Sequence, residues 1–349
     1  MDNLCPGMLG HIERKTVELE EKGGKSMLTA KEVRGVMGMM PAFTTADGDS
    51  VDSTDTVDTQ SLKGGVDRII QDGIDVIATT GSFGEFHTLL WEEQQKLIEA
   101  TVSAVRKRVP LFIGCTSLNT REALRKMKFI AQSGADGVLT GVPFYFPATV
   151  DNAVQFFFDL ADAFPKLNIM IYHNPPLHHI TIPPEAFRKL VAKPNIVAMK
   201  DSHRDPTTFM KLQEIIRGKI SVFVNQTQLY PYAMLGAAGC WSIHAWMGPS
   251  PLIRARDACL AQDWESVKKI CMDIANAFSM GGGGAPNLQW RENSCKLAIN
   301  EAGYCHAGPL RPPFRIVPDE VKQRAREMAK KWRALCEAYP IEARKAVGT

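Results

Sequence analysis

Lys200 sits in Ile196-Val-Ala-Met-Lys-Asp-Ser202, an apolar run that stops abruptly in Asp201, Ser202, His203, Arg204, Asp205 and Pro206. A lysine at the end of a buried strand is costly to hold as a cation. Burial drives it toward the neutral amine, the form that attacks carbonyl carbon. The same lysine is also satisfied by solvent or by Asp201, and this stretch alone leaves both readings open. Two other stretches carry related chemistry. Tyr172, in Tyr172-His-Asn-Pro-Pro176, is placed to relay a proton, or else is a packed ring with a satisfied hydroxyl. The turn Thr80-Gly-Ser-Phe-Gly-Glu-Phe-His-Thr-Leu89 exposes backbone N–H groups around Gly81, and Ser82 adds a hydroxyl. Such a turn can cradle a carboxylate, although most glycine-rich turns are only turns.

These residues matter only if the fold brings them together. From residue 36 onward, apolar strand-like runs alternate with helix-like ones. Strands are predicted over 36–44, 75–80, 111–116, 136–142, 168–173, 196–202, 220–224 and 240–244. Helices are predicted over 62–72, 91–108, 120–132, 151–164, 183–192, 206–217, 229–235 and 251–278. Near-continuous apolar strands alternating with helices indicate a parallel sheet covered on both faces. Eight such units at roughly 25-residue spacing fit a (β/α)8 TIM barrel, an α/β fold, better than an open doubly wound sheet. No GxGxxG opens a helix after a strand, which argues against a dinucleotide fold. The reading divides the chain into a leader (1–30, with a helix possible over 11–25), the barrel (31–280) and a C-terminal helical extension (281–349). That extension begins with the hinge Gly281-Gly-Gly-Gly284 and carries helices over 290–302 and 318–338. Catalytic groups of such barrels gather at the C-terminal ends of the strands, where Ser82, Tyr172 and Lys200 all fall.

Bulk properties exclude other classes. The 349 residues are 45% hydrophobic and carry 41 basic against 38 acidic side chains, too balanced for a nucleic-acid partner. The eight cysteines show no CxxC or zinc spacing and read as reduced thiols of a cytoplasmic protein. No apolar run has the length of a membrane span, and the charged first 26 residues lack the apolar region of a secretory signal. His178 and His179, with His173 and His203 nearby, do not make a convergent metal set by themselves. Arg311 reads as structural or interfacial, and the basic residues from Lys322 to Arg333 as a solvated helix face.

The combination is more specific than its parts. Gly81-Ser-Phe-Gly-Glu85, Tyr172-His-Asn-Pro175 and Val197-Ala-Met-Lys-Asp201 together resemble the dihydrodipicolinate synthase and N-acetylneuraminate lyase superfamily, over about residues 30 to 340. The resemblance implies a Schiff base between Lys200 and a pyruvyl substrate, carboxylate binding by Ser82 and Phe83, and proton shuttling by Tyr172. It also implies that Tyr145 reaches a neighbouring subunit's site, in a homo-oligomer that most relatives build as a tetramer. No metal or organic cofactor is implied, and the partners are a 2-oxo acid and pyruvate.

Phe83 stands where the synthases usually have a second threonine, so a synthase-type relay to Tyr172 is in doubt. Trp241 in strand 8, with Phe83, Phe86, Phe144, Phe146 and Trp246, suits an aromatic substrate, unless these rings are only packing. The turn, with the run Asn119-Thr-Arg-Glu122 and Gly308-Pro-Leu-Arg-Pro-Pro313, is similar to the hydratase-aldolases of polycyclic-aromatic degradation. That branch acts on trans-o-hydroxybenzylidenepyruvate or trans-2'-carboxybenzalpyruvate, and by resemblance Asn293 helps position substrate or water. Basic residues near the site favour the 2'-carboxy substrate, with His244 and Arg291 as groups that face the ring if they are not structural. Alternatives are a synthase, a sugar-acid lyase or dehydratase of the same superfamily, or a non-catalytic barrel.

Overall fold

The computed structural model describes residues 27–278 and 288–341. Eight parallel strands close into one barrel in sequence order. They are β1 (Gly35–Met39), β2 (Val76–Thr79), β3 (Leu111–Gly114), β4 (Gly137–Thr140), β5 (Asn168–Tyr172), β6 (Ile196–Lys200), β7 (Ser221–Asn225) and β8 (Gly239–Ser242). Between them run α1 (Thr59–Gln71), α2 (Trp91–Val105), α3 (Thr120–Ser133), α4 (Val150–Ala163), the short α5 (Pro175–His178) and α6 (Phe187–Leu190), α7 (Pro206–Ile216) and α8 (Leu229–Met234). After β8 come α9 (Ser250–Leu260), α10 (Trp264–Phe278), α11 (Leu288–Ala302) and α12 (Asp319–Ala338). The (β/α)8 barrel with added C-terminal helices is therefore the observed fold.

Alternation along each strand sorts the core into two layers. Met37, Met39, Val76, Ala78, Phe112, Leu139, Met170, Ala198 and Phe223 form the cluster inside the barrel. Their neighbours Val36, Ile77, Ile113, Val138, Ile169, Ile171, Met199 and Val222 belong to the larger cluster under the helices. Tyr172 and Lys200 continue the inward rows of Met170 and Ala198, and they are paired across β5 and β6.

Helix starts follow from capping side chains. Asp58, Asn119, Thr149 and Asp205 each accept an N–H of the first turn of α1, α3, α4 and α7. The structure departs from the sequence reading in three places. The first strand stops at Met39, because Pro41 has no N–H to continue the ladder; Thr44 N–H donates instead to Ala307, 3.0 Å away in the C-terminal segment. The helix predicted over 183–192 is a 3-10 turn, Pro184–Ala186, followed by α6. The helix predicted over 251–278 is broken into α9 and α10 at Gln262 (φ +58°), and Asp263 then accepts from Ser266 N–H at 3.1 Å. The leader's predicted helix over 11–25 and the Gly281–Gly284 hinge lie outside the described residues.

α12 buries Val321, Ala325, Ala329 and Trp332 and turns most of its lysines and arginines outward, as expected of a solvated face. Arg311 is structural: it is 1% exposed and donates to Ala42, Phe43 and Thr56. The seven described cysteines are free thiols, and among the described residues no helix is long and apolar enough to cross a membrane.

Candidate active site

Lys200 ends β6, 6% exposed, with its Nζ between two rings. Nζ lies 3.6 Å from the ring centre of Trp241 in β8 and 4.4 Å from that of Tyr172 in β5. Trp241 is held by its own Nε1–H, which donates to Ser202 Oγ at 2.7 Å. Such an enclosure desolvates the amine and offers ring faces that tolerate positive charge, as an iminium requires.

The strand ends beneath these groups are tied together through Asp201, which pairs with Arg204 and faces His173. His173 follows Tyr172, and Asp201 follows Lys200. His173 Nδ1 stands 3.0 Å from Asp201 Oδ1, while His173 Nε2 accepts from Ile182 N–H at 3.2 Å. The acceptor role of Nε2 places the neutral ring's proton on Nδ1, toward Asp201. Arg204 Nε donates to Asp201 Oδ2 at 2.6 Å. Burial alone would raise the Asp201 carboxyl; His173 and Arg204 outweigh it and hold it at about 2. Because the folded value is depressed, this stability is present above the unfolded value near 3.8 and is lost as pH falls through about 2. Asp201→Asn is therefore expected to cost about 2 kcal/mol or more at pH 7, with the gap to wild type closing between about pH 4 and 2. Urea unfolding of both proteins across that range checks it; a gap independent of pH would contradict the clamp.

On the opposite side of the mouth, the turn after β2 is forced into shape. Thr80 (φ +48°) and Glu85 (φ +50°) both adopt the left-handed conformation, rare for residues with a side chain. A Cβ on Gly84 would lie 2.7 Å from Thr80 N, so only glycine lets the turn fold back so tightly. The turn brings Ser82 Oγ to 2.9 Å from the Tyr172 hydroxyl, to which Asn174 Nδ2–H donates at 3.0 Å. Phe83, in place of a second threonine, puts a synthase-type relay to Tyr172 in doubt. The serine one place earlier takes that contact, and Phe83 is 4% exposed on the wall beside it.

These groups border a cavity of about 250 Å³. Its apolar wall is Phe83, Phe86, Phe144, Leu177, Leu310 and Phe314; its polar wall includes Ser82, Tyr172, His178, Asn293 and Lys296. Gly81 backs Tyr172: a Cβ there would stand 4.0 Å from the tyrosine ring. Asn293 donates to Phe314 O at 3.1 Å and faces the cavity from α11. Lys200 and Trp241 are not part of this wall; Lys200 Nζ lies 4.4 Å from the ring centre of Tyr172, which is. Of the other rings singled out in the sequence, Trp246 is fully buried against Phe43 with centroids 5.8 Å apart, so it is core and not rim. Phe146 and Tyr145 are 75% and 74% exposed, stacked edge-on at 5.0 Å, and neither lines the cavity. His244 is engaged with Gln226 and Cys295 and packs on Trp332, off the cavity wall. The Arg291 side chain lies outside the described residues.

The histidines do not converge on one point: His173 serves Asp201, and His178 rests edge-on against Tyr172 with ring centroids 5.0 Å apart. Burial pushes the His178 imidazole down to about 3, with His173 and Lys200 adding to the shift, so it is neutral at physiological pH. A Cβ on Gly141 would fall 2.0 Å from His178 Cε1. Gly141→Ala is expected to displace the ring and cost roughly 1 to 3 kcal/mol. A thermal melt reads this directly, and an unchanged Tm would show that His178 has room to move.

The sequence reading gives Asn174, Glu85 and Lys296 no individual site role and weighs His178 only as a metal ligand. Asn174 lay inside a motif already quoted. Lys296 had one signal, a charge inside Ser294-Cys-Lys-Leu-Ala-Ile299.

The model of the dihydrodipicolinate synthetase family matches residues 36–331, most of the chain. The chain belongs to the dihydrodipicolinate synthetase family. It is accordingly an enzyme, a carbon–carbon lyase of the Schiff-base type. It is 31% identical to a trans-o-hydroxybenzylidenepyruvate hydratase-aldolase of Pseudomonas aeruginosa, covering 91% of this chain and 97% of that protein. It is 25% identical to a trans-2'-carboxybenzalpyruvate hydratase-aldolase of Nocardioides sp. (strain KP7), covering 89% and 96%. Among solved structures it is similar to PhdJ bound to a substrate intermediate, with a TM-score of 0.86, 29% identity, and coverage of 90% of this chain and all of that one.

Proposed function

We propose that this enzyme hydrates an ortho-substituted benzylidenepyruvate and cleaves the adduct to an aromatic aldehyde and pyruvate. The observation that supports it best is the phenylalanine-lined cavity that includes Ser82 and Tyr172, the latter with its ring centre 4.4 Å from Lys200 Nζ. Six apolar side chains on its wall suit an aryl ring, whereas a sugar or an aminoaldehyde needs more fixed polar partners.

In this reading Lys200 Nζ attacks the α-keto carbon, and loss of water gives a cationic iminium. The turn from Gly81 to Phe83 holds the adjoining carboxylate, chiefly through its N–H groups. The iminium withdraws electrons through the conjugated alkene, so water adds at the benzylic carbon and its neighbour gains a proton. Tyr172 then takes the new hydroxyl proton, with Ser82 2.9 Å away to pass it on. The carbon–carbon bond breaks, its electron pair moves into the iminium as an enamine, and the aldehyde leaves. Protonation and hydrolysis of the enamine release pyruvate and restore the amine.

The test follows the long-wavelength absorbance of benzylidenepyruvates during incubation with the enzyme. Decay with stoichiometric aldehyde and pyruvate is expected. Stable absorbance, with turnover of an aliphatic aldehyde and pyruvate instead, would assign a synthase-type reaction.

A further inference from the structure

Lys296, on α11, is 1% exposed, yet it lines the cavity. Its Nζ donates to Thr44 Oγ1 at 2.7 Å and to Glu85 Oε2. Among the described residues these are its two acceptors, and an ammonium has three N–H groups. The donor left over belongs to a side chain on the wall of a cavity that is otherwise largely apolar.

The charges around Lys296 are already matched. Glu85 Oε2 also accepts from Arg311 Nη1 at 3.0 Å. Arg311 Nε donates to Thr56 Oγ1, which in turn bonds Glu93 Oε1. Two cations thus face two carboxylates. Further out, Asp55 is paired with Lys96. Burial pushes His87 down, against Glu85, and both imidazoles on the wall, His87 and His178, are neutral. Burial also pushes Lys296 down to about 8, opposed by Glu85 and assisted by Arg311, so it is mostly protonated at pH 7. A carboxylate entering here would be desolvated, and among the described residues the cations beside it, Lys296 and Arg311, already share Glu85. A neutral oxygen needs only a donor.

Resting on the hydratase-aldolase reading, we propose that Lys296 is the residue that reads the ring, donating its third N–H to a neutral ortho oxygen. The site therefore takes a ring with an o-hydroxyl in preference to one with a 2-carboxylate, a methyl or hydrogen at that position. This reverses the preference for a carboxylate drawn from basic residues in the sequence, because the described basic residues at the cavity are paired.

The experiment measures kcat/KM of the wild-type enzyme for benzylidenepyruvates carrying o-hydroxyl, o-methyl, 2-carboxyl or no substituent. The o-hydroxyl substrate is expected to lead the unsubstituted and o-methyl ones by roughly tenfold or more, with the change mainly in KM. In Lys296→Met, the ratio of o-hydroxyl to unsubstituted substrate, taken within the one variant, is expected to fall close to one. If the variant does not fold, the wild-type ratios decide. Equal use of o-hydroxyl and o-methyl substrates, a lead for the 2-carboxyl one, or a ratio that survives in folded Lys296→Met overturns the role of Lys296 alone. Turnover of none of the four, with pyruvate still trapped on the enzyme, overturns the reading of the reaction and the proposal with it.

Discussion

Lys200→Met is expected to lose at least a thousandfold in turnover of any 2-oxo acid substrate and to lose all borohydride trapping of pyruvate. Methionine has nearly the length of the lysine stem and is apolar, so it fits between Tyr172 and Trp241, whose ring centres lie 4.4 and 3.6 Å from Nζ. The fold should therefore survive, and the loss should be one of chemistry. Hydration and cleavage should disappear together, because both draw electrons into the same iminium. Peptide mass analysis after reduction checks the first half: the pyruvyl adduct belongs on the Lys200 peptide in wild type and nowhere in the variant. An adduct on Lys296 instead, the other buried amine at this mouth, would reassign the nucleophile.

Tyr172→Phe is expected to lower kcat by roughly a hundred- to a thousandfold while leaving the pyruvate imine on Lys200 intact. Phenylalanine keeps the ring edge-on to His178 and beside Lys200 Nζ, so the cavity wall stays in place. Only the hydroxyl is lost, which leaves Ser82 Oγ and Asn174 Nδ2 without their shared partner. That change should cost on the order of 1 kcal/mol of stability, far less than the kinetic effect. Single-turnover measurements separate the steps: imine formation persists, and release of aldehyde slows. Unchanged aldehyde release would move the proton transfers to water and leave Tyr172 as packing.

Much of this arrangement is legible in the sequence. Strand runs such as Ile196–Lys200 are short, apolar and abruptly ended, and in a parallel barrel that pattern places their last residue at the mouth. Lys200, Tyr172 and Ser82 could be found this way because each marks a strand end. The rings around them could not be sorted by position alone. Trp246 follows the eighth strand as closely as a rim residue would, yet the turn His244–Met247 folds it under the sheet against Phe43. The Glu85, Lys296 and Arg311 set was illegible for another reason. Its members are joined across separations of 211 and 226 residues, and the one local signal, a charge within Ser294–Ile299, does not say what that lysine faces. Charge pairing over such distances is a property of docking, which no local pattern in the sequence records.

The bond from Lys296 to Glu85 also orders events during synthesis. All eight strands, with Lys200 among them, leave the ribosome before α11 is made. A nascent barrel therefore owns its amine before the turn at Gly81 to Glu85 has its far anchor. The last contact of the Gly81 to Glu85 turn is thus supplied from a helix made after every strand of the barrel.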